Sequence, residues 1–399
     1  MTLPSPAELK RRELERQYDM LARQHAEASQ QLRTMLDAAN RPLLEDQVAD
    51  LEQRMAKVWA QLNPPAASAP PAASAPPAAL TVTIRPRMEQ VYTALADLFD
   101  PTQRPLVEVE LRNDTVQAQR LLVSSHIQEY SHVAETTVTL APGATETVRQ
   151  LPALRKAAVQ GITELTKAEL SVSVRDLDAD RLLEQRSARV DLLARNAAPI
   201  AARDPATNTW LDLTRYLAAF ITPHAPAVLA TLRQAVDRHP AQTLAGYQAD
   251  VILQVNALYD VLRHDIALAY VHSTVSFNPD AAALDQRVRL PRESLAARSA
   301  NCLDAALLVA SLLEACTLHP ALLICRNHAI VGWETQPGSN VWEFLDTIVF
   351  LTNDFAEARN LGQRKAAFFA GRAQTTGDPA WHRLLPIKPL RAQKITPLE

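Results

Sequence analysis

The repeat NPPAASAPPAASAPPAA at residues 63–79 constrains the fold of this 399-residue chain more than any other feature. Its alanines are too small and its prolines too frequent to build a hydrophobic core, and proline favours extended polyproline geometry. The repeat therefore predicts a semi-rigid linker that tethers an N-terminal module to the rest of the chain. The length also exceeds that of one ordinary core, which indicates several domains.

Residues 6–62, before the linker, predict an antiparallel helical hairpin of the coiled-coil type. Apolar residues recur there at steps of three and four in two segments, which is the period of a coiled-coil seam. The first seam contains Leu14, Tyr18, Leu21, His25, Ala28, Leu32 and Met35, and the second contains Leu44, Val48, Leu51, Met55, Val58 and Leu62. Two short helices bury little surface. We therefore expect this adaptor to bind a partner protein or a second copy of itself.

The pattern changes twice after the linker. Residues 80–196 alternate apolar and polar residues in about six short segments separated by turn residues, which predicts a β-sandwich. From residue 208 onward helical spacing returns, mixed with short strands, and predicts an α+β core over residues 208–372. A proline-containing tail is expected over residues 373–399. The chain is thus predicted to be α+β and multidomain.

Composition disfavours several classes of function. Lys and Arg number 41 against 44 Asp and Glu, so no excess of positive charge indicates nucleic acid or an anionic membrane. No apolar stretch is long enough to span a membrane, and the first residues lack the apolar core of a signal peptide. Three cysteines favour a reducing cytoplasm over a disulfide framework. We expect a cytoplasmic protein that binds no membrane.

One local cluster of arginines leaves nucleic-acid association open as an alternative. It consists of Arg287, Arg289, Arg292 and Arg298. Asp285 and Glu293 lie within the same stretch and partly neutralise it. A solvated loop is therefore the favoured interpretation.

The segment RSANCLDAALLVASLLEACTLHP begins a long apolar helix with a cysteine, Cys302. Unpaired N–H groups and the helix dipole favour a thiolate at such a position and can also stabilise an oxyanion. His328 begins one predicted strand and Asp346 ends the next, so the two could face each other across a hairpin. Nucleophile, base and orienting carboxylate in this arrangement predict acyl transfer. Cys316 and Cys325 lie in apolar periodic segments and are expected to be buried filler.

Neither a metal nor a cofactor is expected. Cys302, Cys316, Cys325 and His328 could suggest zinc, but no CxxC or HxxxH pair supplies zinc-ligand spacing. Cys316 moreover falls in the middle of the predicted helix, away from the other three.

Residues 285–350 resemble the transglutaminase-like superfamily, which includes bacterial transglutaminase-like cysteine peptidases. The resemblance rests on the lead-in LPRESLAARSANC, the apolar helix, the strand THPALLIC, the triplet NHA and the segment WEFLD. It implies Cys302 as nucleophile, His328 as general base and acid, and Asp346 as orienting carboxylate in a papain-like core. It also implies a protein or peptide substrate. With a hairpin similar to the adaptor segments of bacterial effectors, it implies a role in a bacterial defence or conflict system.

Two positions depart from the family pattern. Ala300 and Asn327 stand where the family has glycine. Alanine adds a methyl group near the thiol and narrows backbone freedom, whereas asparagine still adopts left-handed geometry. The departures keep a second hypothesis open, in which a non-catalytic transglutaminase-like scaffold recruits a protein partner through the hairpin.

Overall fold

The chain is α+β and contains several sheets and helices in more than one domain. The computed structural model describes residues 80–203, 208–272, 283–325, 328–350 and 352–398, and individual residues within 14–25 and 48–58. Two compact units are present, Met1–Pro76 and Pro77–Glu399. The predicted linker at 63–79 and Asn327 lie outside the described residues.

The described residues of the first unit are helical and share an apolar contact. Leu21, Leu51 and Val58 are at most 6% exposed and pack together, with Leu14, Val48 and Met55 against them. All six belong to the two predicted seams. The turn between the seams lies outside the described residues, so the antiparallel hairpin stays a prediction.

Residues 80–203 form nine strands and one short α-helix. In chain order these are β1 (Leu80–Pro86), β2 (Gln90–Tyr92), β3 (Val107–Asn113), β4 (Gln119–Ile127), β5 (Ala134–Leu140), β6 (Thr145–Gln150), α1 (Lys156–Val159), β7 (Thr166–Asp176), β8 (Arg181–Leu193) and β9 (Ala197–Arg203), with a 3₁₀ helix at Ala96–Leu98. One sheet has the order β1-β3-β6, and another has the order β2-β8-β7-β4-β5. Alternate residues of both sheets, such as Val109 and Val123, meet in one apolar core. The alternating pattern of this region therefore corresponds to two sheets around a common core.

The described residues after 207 carry the remaining elements. They are β10 (Trp210–Asp212), a 3₁₀ helix (Thr214–Phe220), α2 (Pro226–Arg238), a 3₁₀ helix (Gly246–Gln248), α3 (Val251–Asp260), a π-helical turn (Val261–Asp265), β11 (Ala269–Tyr270), β12 (Ala283–Arg287), α4 (Pro291–Ala297), β13 (Ser299–Ala300), α5 (Cys302–Ala315), β14 (Pro320–Cys325), β15 (His328–Glu334), β16 (Trp342–Leu345), a 3₁₀ helix (Thr347–Val349), α6 (Phe355–Thr376), a 3₁₀ helix (Pro379–Trp381), β17 (Arg383–Pro386) and α7 (Ile387–Ala392). Within the described part of the chain, no helix has the length and apolar character needed to cross a membrane.

Four antiparallel strands in the order β16-β15-β14-β17 form the sheet beside the candidate site. On one face, Leu322 and Val331 join the large core that surrounds α5. On the other face, Leu323 and Ile330 form a separate cluster with Ala366 of α6. Since successive strand residues point to opposite faces, β14 and β15 are apolar on both sides, as expected of strands covered by helices.

Helix α5 is buried around its whole circumference. Every residue from 303 to 313 is buried, which is typical of an interior helix. Cys302, the first residue of α5, is partly exposed. Within residues 302–313, the helix therefore reaches the protein surface only at Cys302.

The predicted tail, residues 373–399, contains several regular elements. Helix α6 continues to Thr376, and β17 then joins the central sheet as the partner of β14. The Arg391 guanidinium binds the Glu314 carboxylate of α5 at 2.8 and 2.9 Å. Ile387 and Ile395 are almost fully buried. These apolar side chains account for the ordered C-terminal segment, because their burial removes hydrocarbon surface from water.

Apolar packing and strand pairing connect the predicted sandwich with the predicted α+β core. Tyr92, Leu95 and Phe99, from the sandwich region, belong to the core that surrounds α5. Strand β9, which falls between the two predicted domains, pairs with β10 and β12. The two regions thus share apolar packing within the second unit.

Candidate functional site

A capping box sets the start of α5 and thereby the position of Cys302. The Asn301 side chain accepts a 2.8 Å hydrogen bond from the Asp304 N–H, and the Asp304 carboxylate accepts one from the Asn301 N–H at 3.3 Å. Reciprocal bonds of this kind define a helix N-terminus. The Cys302 thiol therefore lies in the first turn, at the positive end of the helix dipole.

The segment before Cys302 is held in place by backbone pairing. Arg298 ends α4 in the left-handed conformation, with φ of 48°. Strand β13 then pairs in parallel with β11, and the Val271 N–H donates to the Ala300 carbonyl at 2.9 Å. Ala300 is 1% exposed, and its φ is not positive. The backbone at this position does not need glycine, and the alanine methyl is accommodated in the core.

His328 is the first residue of β15 and lies opposite Cys325 of β14. Its Nε2 lies 3.8 Å from Asp346 Oδ1, and its ring also interacts with the Cys302 thiol. Nε2 is buried and makes no hydrogen bond to any described residue. The separation exceeds hydrogen-bond length, and catalytic bonds are often this long before substrate binds.

Asp346 follows β16 and is fully buried. Its Oδ1 accepts a 3.1 Å hydrogen bond from the Ile348 N–H, and its Oδ2 contacts Nζ of Lys365 on α6. Burial raises the pKa of Asp346, but the interactions with His328, Lys365 and the Ile348 N–H together hold it below its ordinary value. Asp346 is therefore a buried carboxylate that stays ionised because two cationic side chains lie next to it.

The pKa values of Cys302 and His328 shift in opposite directions. Burial raises the pKa of Cys302, but the interactions with His328 and with the N–H groups of Ala329 and Leu303 bring it below its ordinary value. Burial lowers the pKa of His328, whereas Asp346 and Cys302 raise it by more. Both net shifts favour a thiolate next to an imidazolium.

The pKa values of Cys316 and Cys325 shift in the direction opposite to that of Cys302. Both are buried, and none of the three cysteines forms a disulfide. Burial raises the pKa of each of these two thiols to about 12. They have the environment of small apolar side chains in a core.

Lys365 and Tyr270 are site residues that the sequence patterns did not predict. Tyr270 is 41% exposed, and its pKa is raised by burial and by the charges of Cys302 and Asp346. The sequence offers one indirect signal for Lys365, which is Gly362, three residues earlier in the same helix. A glycine inside a helix often marks a point where another segment packs closely. A Cβ at Gly362 would lie 2.5 Å from the Phe344 carbonyl oxygen.

Three of the four arginines in the cluster have side chains that contact other residues of the chain. Arg287 binds Glu164 at 2.6 Å, Arg289 donates to Ser299 Oγ at 3.0 Å, and an Arg292 nitrogen lies 3.9 Å from Glu293. Arg287 and Arg289 thus have hydrogen-bond partners within the chain. Among the described residues, no group of three or more His, Cys, Asp or Glu side chains could hold a metal ion.

Replacing Asn301 with Ala is expected to destabilise the protein by about 1 kcal/mol, because the cap of a buried helix is lost. The comparison is the midpoint of urea unfolding for wild type and variant. Asn301→Ser keeps a side-chain acceptor and should unfold near the wild-type midpoint. Equal losses for Ala and Ser would contradict a capping role.

Comparisons with known proteins concern mainly the N-terminal region. Residues 4–64 match the model of effector-associated domain 9. No curated protein sequence is significantly similar to the chain. Five chains of known structure match significantly. The transglutaminase-like resemblance stays a prediction.

Two of these structures show how distant the matches are. The FixG-related protein from Vibrio parahaemolyticus has 12% identity over 30% of this chain and 99% of its own, with a TM-score of 0.19. Native alpha-2-macroglobulin from Escherichia coli, spanning domain MG7 to the C-terminus, has 12% identity over 47% of this chain and 29% of its own, with a TM-score of 0.20. Neither score carries a fold argument. The comparisons thus describe one part of the chain, an N-terminal region similar to effector-associated domains.

Proposed function

We propose that residues 208–398 form a transglutaminase-like cysteine peptidase with a papain-like core, which cleaves peptides through a thioester. One observation carries this proposal. The Cys302 thiol has a lowered pKa at the partly exposed start of a buried helix and interacts with His328, whose Nε2 faces the buried Asp346. An activated nucleophile, a base and an orienting carboxylate are the elements that acyl transfer requires.

The proposed reaction begins with attack of the Cys302 thiolate on the carbonyl carbon of a peptide bond. A sulfur–carbon bond forms, and the backbone N–H of Cys302 at the start of α5 stabilises the oxyanion. The His328 imidazolium donates its proton to the leaving nitrogen as the carbon–nitrogen bond breaks. Neutral His328 then takes a proton from water, which attacks the thioester. The acid product leaves, and the thiolate–imidazolium pair is restored.

The first unit is proposed to recruit the catalytic unit to a target. Residues 4–64 are similar to effector-associated domain 9, and the apolar contact around Leu21 and Leu51 involves both predicted seams. A helical module with one apolar seam gains stability from a further helix along it. In this proposal the partner is another protein or a second copy of the chain, within a bacterial defence or conflict system.

Replacing Cys302 with Ala is expected to abolish peptide cleavage, because no other described cysteine has a lowered pKa. The full chain would be incubated with peptides from a digested bacterial lysate, and the products analysed by mass spectrometry. Hydrolysis creates new termini, whereas deamidation and cross-linking to amines each change the mass differently.

The matched control is Cys316→Ala, which removes a buried thiol and should leave product formation unchanged. The same products from wild type and the Cys302→Ala variant would reject the enzyme hypothesis. A wild-type protein that alters no peptide, and whose Cys302 is not selectively alkylated, would favour the non-catalytic scaffold.

A further inference from the structure

We propose that Lys365 is a positioning residue that shares the Asp346 carboxylate with His328 and so limits how firmly Asp346 holds the imidazole. This inference rests on the proposed function, since it concerns the same site. It assigns a fourth member to the site, on a helix that follows all three residues of the predicted triad.

Helix α6 packs against β16 and the following Asp346 through three contacts. The α6 residues that make these contacts are three positions apart. The Arg359 guanidinium binds the Glu343 carboxylate at 2.6 and 2.7 Å. At Gly362 the two backbones approach so closely that a Cβ would meet the carbonyl of Phe344. Residues spaced by three lie on one face of a helix. The next residue on this face is Lys365, and its Nζ contacts Asp346 Oδ2.

The Asp346 carboxylate lies between two cationic side chains and faces each with a different oxygen atom. Its Oδ2 faces Lys365, and its Oδ1 accepts a bond from the Ile348 N–H and lies 3.8 Å from His328 Nε2. The carboxylate has no exposed surface, so water does not screen it. The positive charge of Lys365 therefore offsets part of the attraction that this carboxylate exerts on a protonated His328.

Other titratable groups reach this site from the surrounding elements. They are Cys302 of α5, Cys325 of β14, Tyr259 of α3 and Tyr270 of β11. The pKa values of Cys325, Tyr259 and Tyr270 are all raised, so these three groups are neutral near pH 7. The charges that change the state of His328 near that pH are therefore those of Cys302, Asp346 and Lys365.

The chemical consequence concerns the proton on His328. A general base that later acts as an acid works best when its pKa lies near the operating pH. Asp346 and Cys302 raise the pKa of His328, and Lys365 lowers it. Lys365 thus keeps Asp346 ionised and in place while it prevents the imidazole from holding its proton too strongly.

The test measures the titration midpoint of His328 by NMR, in full-length protein labelled at the histidine ring carbons. A Cys302→Ala background removes coupling to the thiolate, and a His328→Gln variant assigns the signal among the 10 histidines. Lys365→Met is expected to raise the midpoint by about one pH unit, because a cation next to the shared carboxylate is lost. Lys365→Arg keeps the charge and should restore the original midpoint.

Arg364→Met is the matched control, because it removes a cation one position away that is exposed on α6. It should leave the midpoint unchanged. Lys365→Gln, which keeps a hydrogen-bond donor, should move the midpoint upward as Met does, and it serves if the Met variant fails to fold. A midpoint that stays or falls in the Lys365→Met and Lys365→Gln variants would overturn the proposal. Because the background lacks the thiol, that result is independent of whether Cys302 is a nucleophile.

Discussion

In the folded protein, iodoacetamide is expected to alkylate Cys302 at least about thirtyfold faster than Cys316 or Cys325 near neutral pH. The pKa of Cys302 lies below the ordinary 9.0, whereas those of the other two lie at about 12. The difference therefore exceeds about three units, which gives Cys302 more than about a thousandfold more thiolate. A more basic thiolate is intrinsically more reactive, which offsets about thirtyfold of this advantage.

Access to solvent acts in the same direction as the thiolate fraction. Cys316 and Cys325 are 6% and 5% exposed, and Cys302 is partly exposed. The measurement is peptide mapping by mass spectrometry after short labelling times, with denatured protein as the control in which all three thiols should react at similar rates. Equal labelling of the folded protein would contradict the proposed role of Cys302.

The pH dependence of this labelling tests the contribution of His328. Because its pKa is lowered, Cys302 should show a midpoint below 9.0 in the wild type. In a His328→Ala variant the raising effect of burial remains and the lowering effect of the imidazole is lost, so the midpoint should move to higher pH. Labelling near pH 7 should then slow by about threefold for each unit of that shift, because the tenfold loss of thiolate is partly offset by the greater reactivity of a more basic thiolate. An unchanged midpoint would mean that His328 does not interact with the thiol.

The start of α5 was predictable from sequence because its signals are local. Asn301 and Asp304 lie at the spacing of a capping box, and the apolar run behind them is long enough to indicate a buried helix. The signals for the strand that begins with His328 and for the strand that precedes Asp346 are equally local, since each strand is a short apolar segment next to a turn. The arrangement of the three residues could therefore be proposed from their order along the chain.

Lys365 was not predictable in the same way, because its role depends on packing between distant segments. Periodicity shows that residues 355–376 form a helix, but it does not show which strand that helix crosses. Strand β17 in the C-terminal segment was difficult to predict for a related reason, because it also depends on pairing with a distant segment. Strand β17 has only four residues, RLLP, and ends in a proline, so it resembles a loop until β14 supplies its hydrogen bonds.

Replacing Gly362 with Ala is expected to destabilise the protein by about 2 kcal/mol. The added Cβ would lie 2.5 Å from the Phe344 carbonyl oxygen and 2.8 Å from the Leu345 nitrogen. These are backbone atoms that cannot rotate away, so the cost falls near the upper end of the roughly 1–3 kcal/mol typical of overpacking. Alanine favours a helix over glycine by about 1 kcal/mol, which offsets part of that cost. Urea unfolding followed by circular dichroism measures the net change.

Gly371 offers a matched control on the same helix. It is exposed, and a Cβ there would meet no atom within 4 Å. Gly371→Ala should therefore stabilise the protein by about 0.5–1 kcal/mol through helix propensity alone. If Gly362→Ala lowers the free energy of unfolding and Gly371→Ala raises it, α6 is held against β16 at Gly362, one turn before Lys365. If both variants were stabilised, the close contact between α6 and β16 would be refuted, and with it the structural basis for placing Lys365 at Asp346.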